Sequence, residues 1–138
     1  MTTGTDGVHP NVTLVVEAHA RLEEGDLAAI NDMFAVDITW HEFGSSPLAG
    51  SYVGRENVMA FWKRYFTAAG VRFRQDILSI MANDDYVSSI VELNGIKPEA
   101  TLSQGAVDVM RVVDGKIAEF WRYYADLDQA NAFFAAKP

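Results

Sequence analysis

The chain has no cysteine, and this absence excludes several kinds of chemistry. Without thiols there is no disulfide, no cysteine nucleophile and no zinc–thiolate centre. Basic residues are also scarce, because 11 Lys and Arg stand against 19 Asp and Glu, which gives a formal net charge of -8. Binding to nucleic acid or to an anionic membrane requires clustered positive charge. We therefore expect neither nucleic acid nor a membrane as a partner.

Long apolar runs are missing as well. No run approaches the roughly 18 residues that a bilayer-spanning helix needs. Residues 1–10 are polar and lack the basic and apolar parts of a signal peptide, so we expect a flexible N-terminal tail and a cytoplasmic location. The remaining residues, 11–138, are predicted to form one domain, because 138 residues with 49% apolar side chains suit a single hydrophobic core.

Hydrophobic spacing predicts three helices in the first half of the chain. Apolar side chains recur at three- and four-residue steps over residues 11–22, which is the pattern of an amphipathic helix. Gly25-Asp26 ends this helix and caps a shorter one, whose apolar face lies within residues 27–34. Gly54 and Gly70 bracket the third helix.

The other segments are typical of strands separated by turns. Asp114-Gly115 is a strong signal for a two-residue hairpin. Asp126 or Asp128 is expected to cap a short last helix. This order of elements predicts an α+β fold in which helices cover one face of a curved antiparallel sheet. If the sheet curls around the long helices, its concave face and the helices enclose a pocket. The predicted strands cover residues 37–43, 71–81, 86–93, 100–113 and 116–125.

Six short motifs occur in order along the chain, and together they resemble the SnoaL-like branch of the nuclear transport factor 2-like superfamily. The resemblance covers about residues 11–136 and implies a cone-shaped, cystatin-like fold. The motifs are Gly25-Asp26-Leu27, Trp40-His41, Pro47-Leu48-Ala49-Gly50, Gly54-Arg55-Glu56, Asp114-Gly115-Lys116-Ile117 and Trp121-Arg122-Tyr123-Tyr124-Ala125-Asp126.

The superfamily includes ketosteroid isomerases, polyketide cyclases, limonene epoxide hydrolases and dehydratases. The resemblance therefore implies acid–base chemistry without a cofactor on a small apolar molecule. One fold hosts many functions, so a non-catalytic binding protein for a small apolar ligand and a dimerisation module stay open as alternatives. Whether the chain is an enzyme is left undecided by the sequence.

The resemblance, combined with the alternation of side chains along strands, implies which residues face the pocket. His41 matches the position of the proton-transferring carboxylate of the isomerases, and an imidazole can exchange protons near neutral pH. Asp108 matches the isomerase residue that acts as an acid or stabilises an oxyanion. Structural roles for both residues remain open alternatives. The residues expected to contact the ligand are Phe43, Val87, Ser89, Val91, Met110, Phe120, Tyr124 and His19.

Arg122 and Asp126 complete the candidate catalytic set. A buried arginine needs a carboxylate partner, and Asp108, Asp126 or Glu42 is available for Arg122. Asp126 also suits a helix N-cap, which is the interpretation that we favour. No metal-ligand spacing is present, so no metal site is expected.

Two positions depart from the family patterns. Ala18 stands where the isomerases carry a tyrosine, and Ala106 stands where the epoxide hydrolases carry an arginine. These departures argue against both of those mechanisms.

The outward face of the sheet should carry an apolar patch that favours a homodimer. This patch comprises Val107, Val109, Trp121 and Tyr123.

Overall fold

The computed structural model describes residues 8–138, so residues 1–7 of the predicted tail lie outside the described part of the chain. Four helices and six strands follow one another in an α+β arrangement. Their bounds are α1 Pro10–Glu23, α2 Leu27–Asp32, β1 Phe34–Glu42, β2 Gly50–Val53, α3 Arg55–Ala69, β3 Phe73–Ala82, β4 Tyr86–Lys97, β5 Ala100–Val113, β6 Lys116–Tyr124 and α4 Leu127–Ala135.

Capping groups set the starts of the first two helices. The His9 ring accepts a hydrogen bond from the backbone N–H of Asn11 at the start of α1, with an N···N distance of 3.0 Å. Asp26 accepts from the N–H of Ala29 at 3.1 Å and so caps α2, as the sequence predicts. Helix α2 is shorter than expected, because the chain becomes extended at Phe34, whose side chain is buried in the core.

The six strands form one curved sheet in the order β2-β1-β6-β5-β4-β3. All neighbouring strands are antiparallel except β1 and β6, which run parallel, so the expectation of a purely antiparallel sheet is wrong. The first strand lies beside the last one, and most of the chain connects them, which is the long connection that parallel strands need. Strand β2, with four residues, is too short to show a clear alternation in the sequence.

The hairpin between β5 and β6 forms as predicted. Asp114 has a φ of 50° and Gly115 a φ of 75°, and positive φ at both central residues is the signature of a type I′ turn.

Gly95 on β4 is required for packing and not for a turn. A Cβ atom there would lie 2.5 Å from the ring of Phe133, so the missing side chain lets α4 pack against the sheet.

The core lies between the concave face of the sheet and helices α1, α2 and α3. Ile30, Phe34 and Phe61 are almost wholly buried in it, and the Trp40 and Phe120 rings stack with centroids 3.7 Å apart. The predicted cone with helices inside a curved sheet is confirmed. Among residues 8–138, no helix has the length and apolar character that crossing a bilayer requires.

Candidate functional site

A cavity lies between the helices and the concave face of the sheet. Its volume is about 90 Å³, measured as the space open to the centre of a water molecule. One water needs roughly 10–15 Å³ in this measure, so the cavity has room for a small organic molecule. Its wall is mainly aliphatic and aromatic, with a few polar groups. The polar residues on the wall are His19, Glu42, Tyr65, Gln75, Ser89, Asp108 and Arg122.

The face of strand β1 that lines the cavity is opposite to the face that we expected. Trp40 and Glu42 lie on the cavity wall, whereas His41 and Phe43 lie on the outer face of the sheet. The expectation that His41 and Phe43 face the pocket is therefore wrong. The physical reason is that Ile38 and Trp40 alternate with polar residues, and burying these two large side chains fixes the orientation of the strand.

On the outer face, His41 is held by two hydrogen bonds. Its Nδ1 atom lies 2.8 Å from the Ser51 hydroxyl oxygen, and its Nε2 atom lies 2.7 Å from a Glu119 carboxylate oxygen. The imidazole also stacks on the Trp121 ring at 5.4 Å between centroids. Since the sheet separates His41 from the cavity, His41 is not the base of a reaction that takes place there.

Glu42 is the carboxyl group that β1 does place in the cavity. It is 5% exposed, and its Oε2 atom accepts a hydrogen bond from the Tyr124 hydroxyl at 2.6 Å. Burial raises the pKa of Glu42 to about 7, and this effect outweighs the hydrogen bond from Tyr124 and the positive charge of Arg122. The negative charge of Asp108 raises the pKa further. Glu42 can therefore hold or release a proton near neutral pH.

Asp108 and Arg122 form a buried ion pair in the same cavity. The Arg122 Nε and Nη2 atoms donate to the two carboxylate oxygens of Asp108 at 2.6 and 2.8 Å. Burial alone would lower the pKa of Arg122, but the charge of Asp108 keeps the pKa well above its ordinary value. Of the three carboxylates that the sequence offered to Arg122, Asp108 is therefore the one that it pairs with.

Tyr65 and Gln75 complete the surroundings of Arg122, and the sequence did not identify either of them as a site residue. The guanidinium donates to the Tyr65 hydroxyl and to the Gln75 side-chain oxygen, each at 3.1 Å. Burial raises the pKa of Tyr65 to about 12, so its hydroxyl stays protonated at neutral pH. The hydroxyl oxygens of Tyr65 and Tyr124 are 3.5 Å apart, which connects Arg122 to Glu42 through two phenols.

Ser89 stands out among the remaining predicted ligand contacts. Its hydroxyl oxygen is buried at the cavity wall and has no hydrogen-bond partner among residues 8–138. Buried polar atoms are rarely left unpaired, so this hydroxyl suits a polar atom of a bound molecule. Four other predicted contacts also line the cavity. They are His19, Val91, Met110 and Phe120.

Three predicted site residues have other positions. Val87 is buried in the core but does not line the cavity. Tyr124 contacts the site through its hydrogen bond to Glu42. Asp126 lies outside the cavity and accepts from the N–H of Gln129 at 3.0 Å, so it caps α4, as the favoured interpretation held.

No metal-binding group is present within residues 8–138, since no three His, Asp or Glu side chains converge there in a way that could hold an ion. The polar groups of the cavity are the Glu42 carboxyl, the Arg122–Asp108 pair, the His19 imidazole, the Gln75 amide and two hydroxyls. This donor set can transfer a proton and stabilise a developing negative charge on oxygen.

A cone of helices and curved sheet around a small apolar cavity defines a protein of the nuclear transport factor 2-like class. The family model described as the SnoaL-like domain matches residues 15–120. The chain belongs to this family.

Known proteins match nearly the whole chain, one in sequence and two in structure. An uncharacterised protein of Mycobacterium tuberculosis is 27% identical over 126 residues, covering 91% of this chain and 96% of the relative. The structure of Bal32a, from a soil-derived mobile gene cassette, is 25% identical and superposes with a TM-score of 0.84, covering 91% of this chain and 96% of that one.

A second structure, from Xanthomonas campestris, is described as that of a proposed polyketide cyclase. It is 20% identical, with a TM-score of 0.67, and covers 91% of this chain and 96% of its own. At this identity the likeness shows the fold alone.

Proposed function

We propose that this protein is a cofactor-independent acid–base enzyme for a small apolar carbonyl compound, with Glu42 transferring the proton. The observation that carries the proposal is the position of Glu42, a buried carboxyl group on the wall of an apolar cavity. Tyr124 holds one of its oxygens, and no described residue bonds to the other. A carboxyl group with a pKa of about 7 exchanges protons readily at neutral pH.

The other polar groups suit the oxygen of an enolate. Arg122 supplies a fixed positive charge, and its contact with Tyr65 polarises that hydroxyl toward donation. The unpaired Ser89 hydroxyl offers a second donor on the same wall. Preorganised donors of this kind stabilise the charge that develops when a proton is removed next to a carbonyl group.

Asp108 has a positioning role in this proposal. Both of its carboxylate oxygens accept hydrogen bonds from Arg122, so both are engaged by the guanidinium. It holds the guanidinium in place and balances its charge. This role replaces the one that the resemblance implied, in which Asp108 itself acts as the acid or stabilises the oxyanion.

The size and apolar lining of the cavity support a compact, weakly polar substrate. Membership of a family of the cyclase and isomerase kind supports proton transfer next to a carbonyl group as the reaction type.

Exchange of α-protons for deuterium tests the proposal without a known substrate. Cyclohexanone, 2-cyclohexenone and 1,3-cyclohexanedione would be incubated with the protein in buffered D₂O at neutral pD, and exchange would be followed by proton NMR. We expect the parent protein to accelerate exchange of at least one of these compounds. Glu42→Gln should reduce the acceleration by about 100-fold or more, because it removes the proton-accepting group.

Glu92→Gln is the matched control, since Glu92 is an exposed carboxylate on β4. This variant should exchange at the parent rate. Exchange by Glu42→Gln at the parent rate would contradict the role of Glu42. Shifts of ligand or protein NMR signals that show binding, without any exchange, would favour the non-catalytic ligand-binding protein.

A further inference from the structure

The outer face of the sheet carries a hydrogen-bonded line of three side chains that the cavity chemistry does not use. Ser51 lies on β2, His41 on β1 and Glu119 on β6, and these three strands are neighbours. Ser51 and His41 are direct partners in the antiparallel pairing, so their side chains meet on one face. The distances are 2.8 Å from Ser51 Oγ to His41 Nδ1 and 2.7 Å from His41 Nε2 to Glu119 Oε2.

The chemistry of the partners fixes where the protons lie. An ionised carboxylate only accepts hydrogen bonds, so a neutral His41 must carry its proton on Nε2, the nitrogen that faces Glu119. His41 Nδ1 is then an acceptor, and the Ser51 hydroxyl donates to it. Arg111 Nε donates to the other oxygen of Glu119 at 3.3 Å. A base that accepts from a serine and is oriented by a carboxylate is the arrangement that activates serine as a nucleophile.

We propose that Ser51, His41 and Glu119 form a second catalytic site, which transfers acyl groups from small esters. In this site Ser51 is the nucleophile, His41 is the general base, and Glu119 is a positioning residue that acts through His41.

The backbone of β2 supplies a donor for the oxyanion that such a reaction forms. The Gly54 N–H donates to the Ile38 carbonyl at 2.7 Å, and the alternation of an antiparallel ladder then turns the N–H of Ser51 away from β1. Within the described chain β2 is an edge strand, so no further strand takes this N–H. In serine hydrolases the N–H of the nucleophile itself contributes to the oxyanion hole.

Apolar side chains beside the nucleophile indicate the kind of ester. Val53 lies two residues after Ser51 on the same face and is 58% exposed. The Phe43 ring lies nearly parallel to the His41 ring at 6.5 Å and is 38% exposed. A short acyl chain or an aryl leaving group can cover these surfaces, so the site fits small apolar esters.

The reaction balances without any further reagent. Ser51 Oγ attacks the acyl carbon while its proton passes to His41 Nδ1. The bond to the leaving oxygen breaks, and that oxygen takes the proton as an alcohol. Water then attacks the acyl-serine with His41 again as the base, which releases the acid and restores both residues.

Covalent labelling tests the proposal directly. A fluorophosphonate–biotin probe reacts with activated serines, forming a phosphorus–oxygen bond and releasing fluoride. Intact mass and peptide mapping should find one probe on Ser51, and the parent protein should hydrolyse p-nitrophenyl acetate. Ser51→Ala should lose both signals. His41→Gln should slow labelling by about 100-fold or more, because the base is removed. Ser79→Ala, at an exposed serine on β3, is the matched control and should label like the parent.

The tautomer of His41 provides a measurement that does not depend on turnover. Long-range ¹H–¹⁵N NMR spectra should show Nε2 protonated and Nδ1 unprotonated in the parent. Glu119→Gln should move the proton to Nδ1 and lower kcat with little change in KM, because the amide can donate to Nε2. An unlabelled Ser51 in the parent protein, equal labelling of His41→Gln, or a proton on Nδ1 of the parent would each overturn the proposal. None of these outcomes bears on Glu42, which the exchange assay tests separately.

Discussion

A carboxyl group inside an apolar cavity loses the hydration that favours its ionised form. Glu42 keeps a hydrogen bond from Tyr124 and feels the charge of Arg122, yet its pKa still rises to about 7 from an ordinary value of 4.5. The neighbouring Asp108 has the opposite surroundings, because both of its oxygens accept from Arg122. In the proposed reaction the two carboxyl groups of the cavity have different tasks, since Glu42 transfers the proton and Asp108 holds the cation.

The raised pKa of Glu42 predicts a pH dependence of folding stability. Below pH 4.5 Glu42 binds a proton in both the folded and the unfolded chain, whereas between pH 4.5 and about 7 only the folded chain keeps it. Over this window the contribution of Glu42 to the free energy of unfolding should fall as pH rises, by about 3 kcal/mol in total. Urea unfolding of the parent and of Glu42→Gln at several pH values measures this contribution. It is the difference between the free energies of unfolding of the two proteins. A difference that is constant with pH would contradict the prediction.

At the scale of elements, the sequence predicted the helices and the long strands well. Hydrophobic spacing marks α1 and α3, Asp26 and Asp126 mark the starts of α2 and α4, and Asp114-Gly115 marks the last hairpin. Three features were not predicted correctly. Strand β2 is too short to show a pattern, and the parallel pairing of β1 with β6 joins residues distant in sequence, which local signals do not encode. The third is the orientation of β1.

The predicted inward-facing residues of β1 are wrong by one position. This shift changes which side chains line the cavity. A shift of one residue moves every side chain of a strand to the other face. The family match placed His41 inside, whereas the alternation of Ile38 and Trp40 with polar neighbours already favoured Glu42 there. Asp108 and Ser89 were placed correctly at the cavity, since β4 and β5 alternate clearly. Tyr65 was missed because its helical position is equally typical of a core aromatic.

The cap of α4 gives a prediction at this scale. Asp126→Ala removes the side chain that accepts from the Gln129 N–H, so it should lower the free energy of unfolding by about 1 kcal/mol. Thermal unfolding followed by circular dichroism measures the loss. Asp128→Ala is the control, since Asp128 lies in the first turn of α4 and is not its cap. Equal losses in the two variants would show that the cap is not important.

At the scale of the whole molecule, the sheet has a different chemistry on each face. The concave face holds the cavity, and the outer face carries an apolar row formed by Ile90, Val107 and Tyr123, which are 41%, 39% and 49% exposed. We propose that a second copy of the chain covers this row, because contiguous apolar surface favours association. Tyr123 of the row lies on β6, and β1 separates β6 from the edge strand β2 that carries Ser51. The Phe43 and Tyr123 rings are in contact at 5.3 Å between centroids, so the row and the Ser51 site adjoin each other on this face.

Light scattering after size-exclusion chromatography measures the association. The parent protein should have twice the chain mass of 15.3 kDa at micromolar concentration. Val107→Lys places a charge in the row and should give a monomer with an unchanged circular dichroism spectrum. A monomeric parent protein at that concentration would contradict the proposed homodimer.

The titration of Glu42 itself is the most direct test of its proposed role in proton transfer. Carbon-13 NMR of the glutamate side-chain carboxyl carbons, with Glu42→Gln to assign the signal, follows its ionisation in the intact protein. We expect a midpoint at about pH 7, because the orientation of β1 buries this carboxyl group in the apolar cavity. A midpoint close to 4.5, the ordinary value for glutamate, would contradict both the buried position and the proposed role in proton transfer.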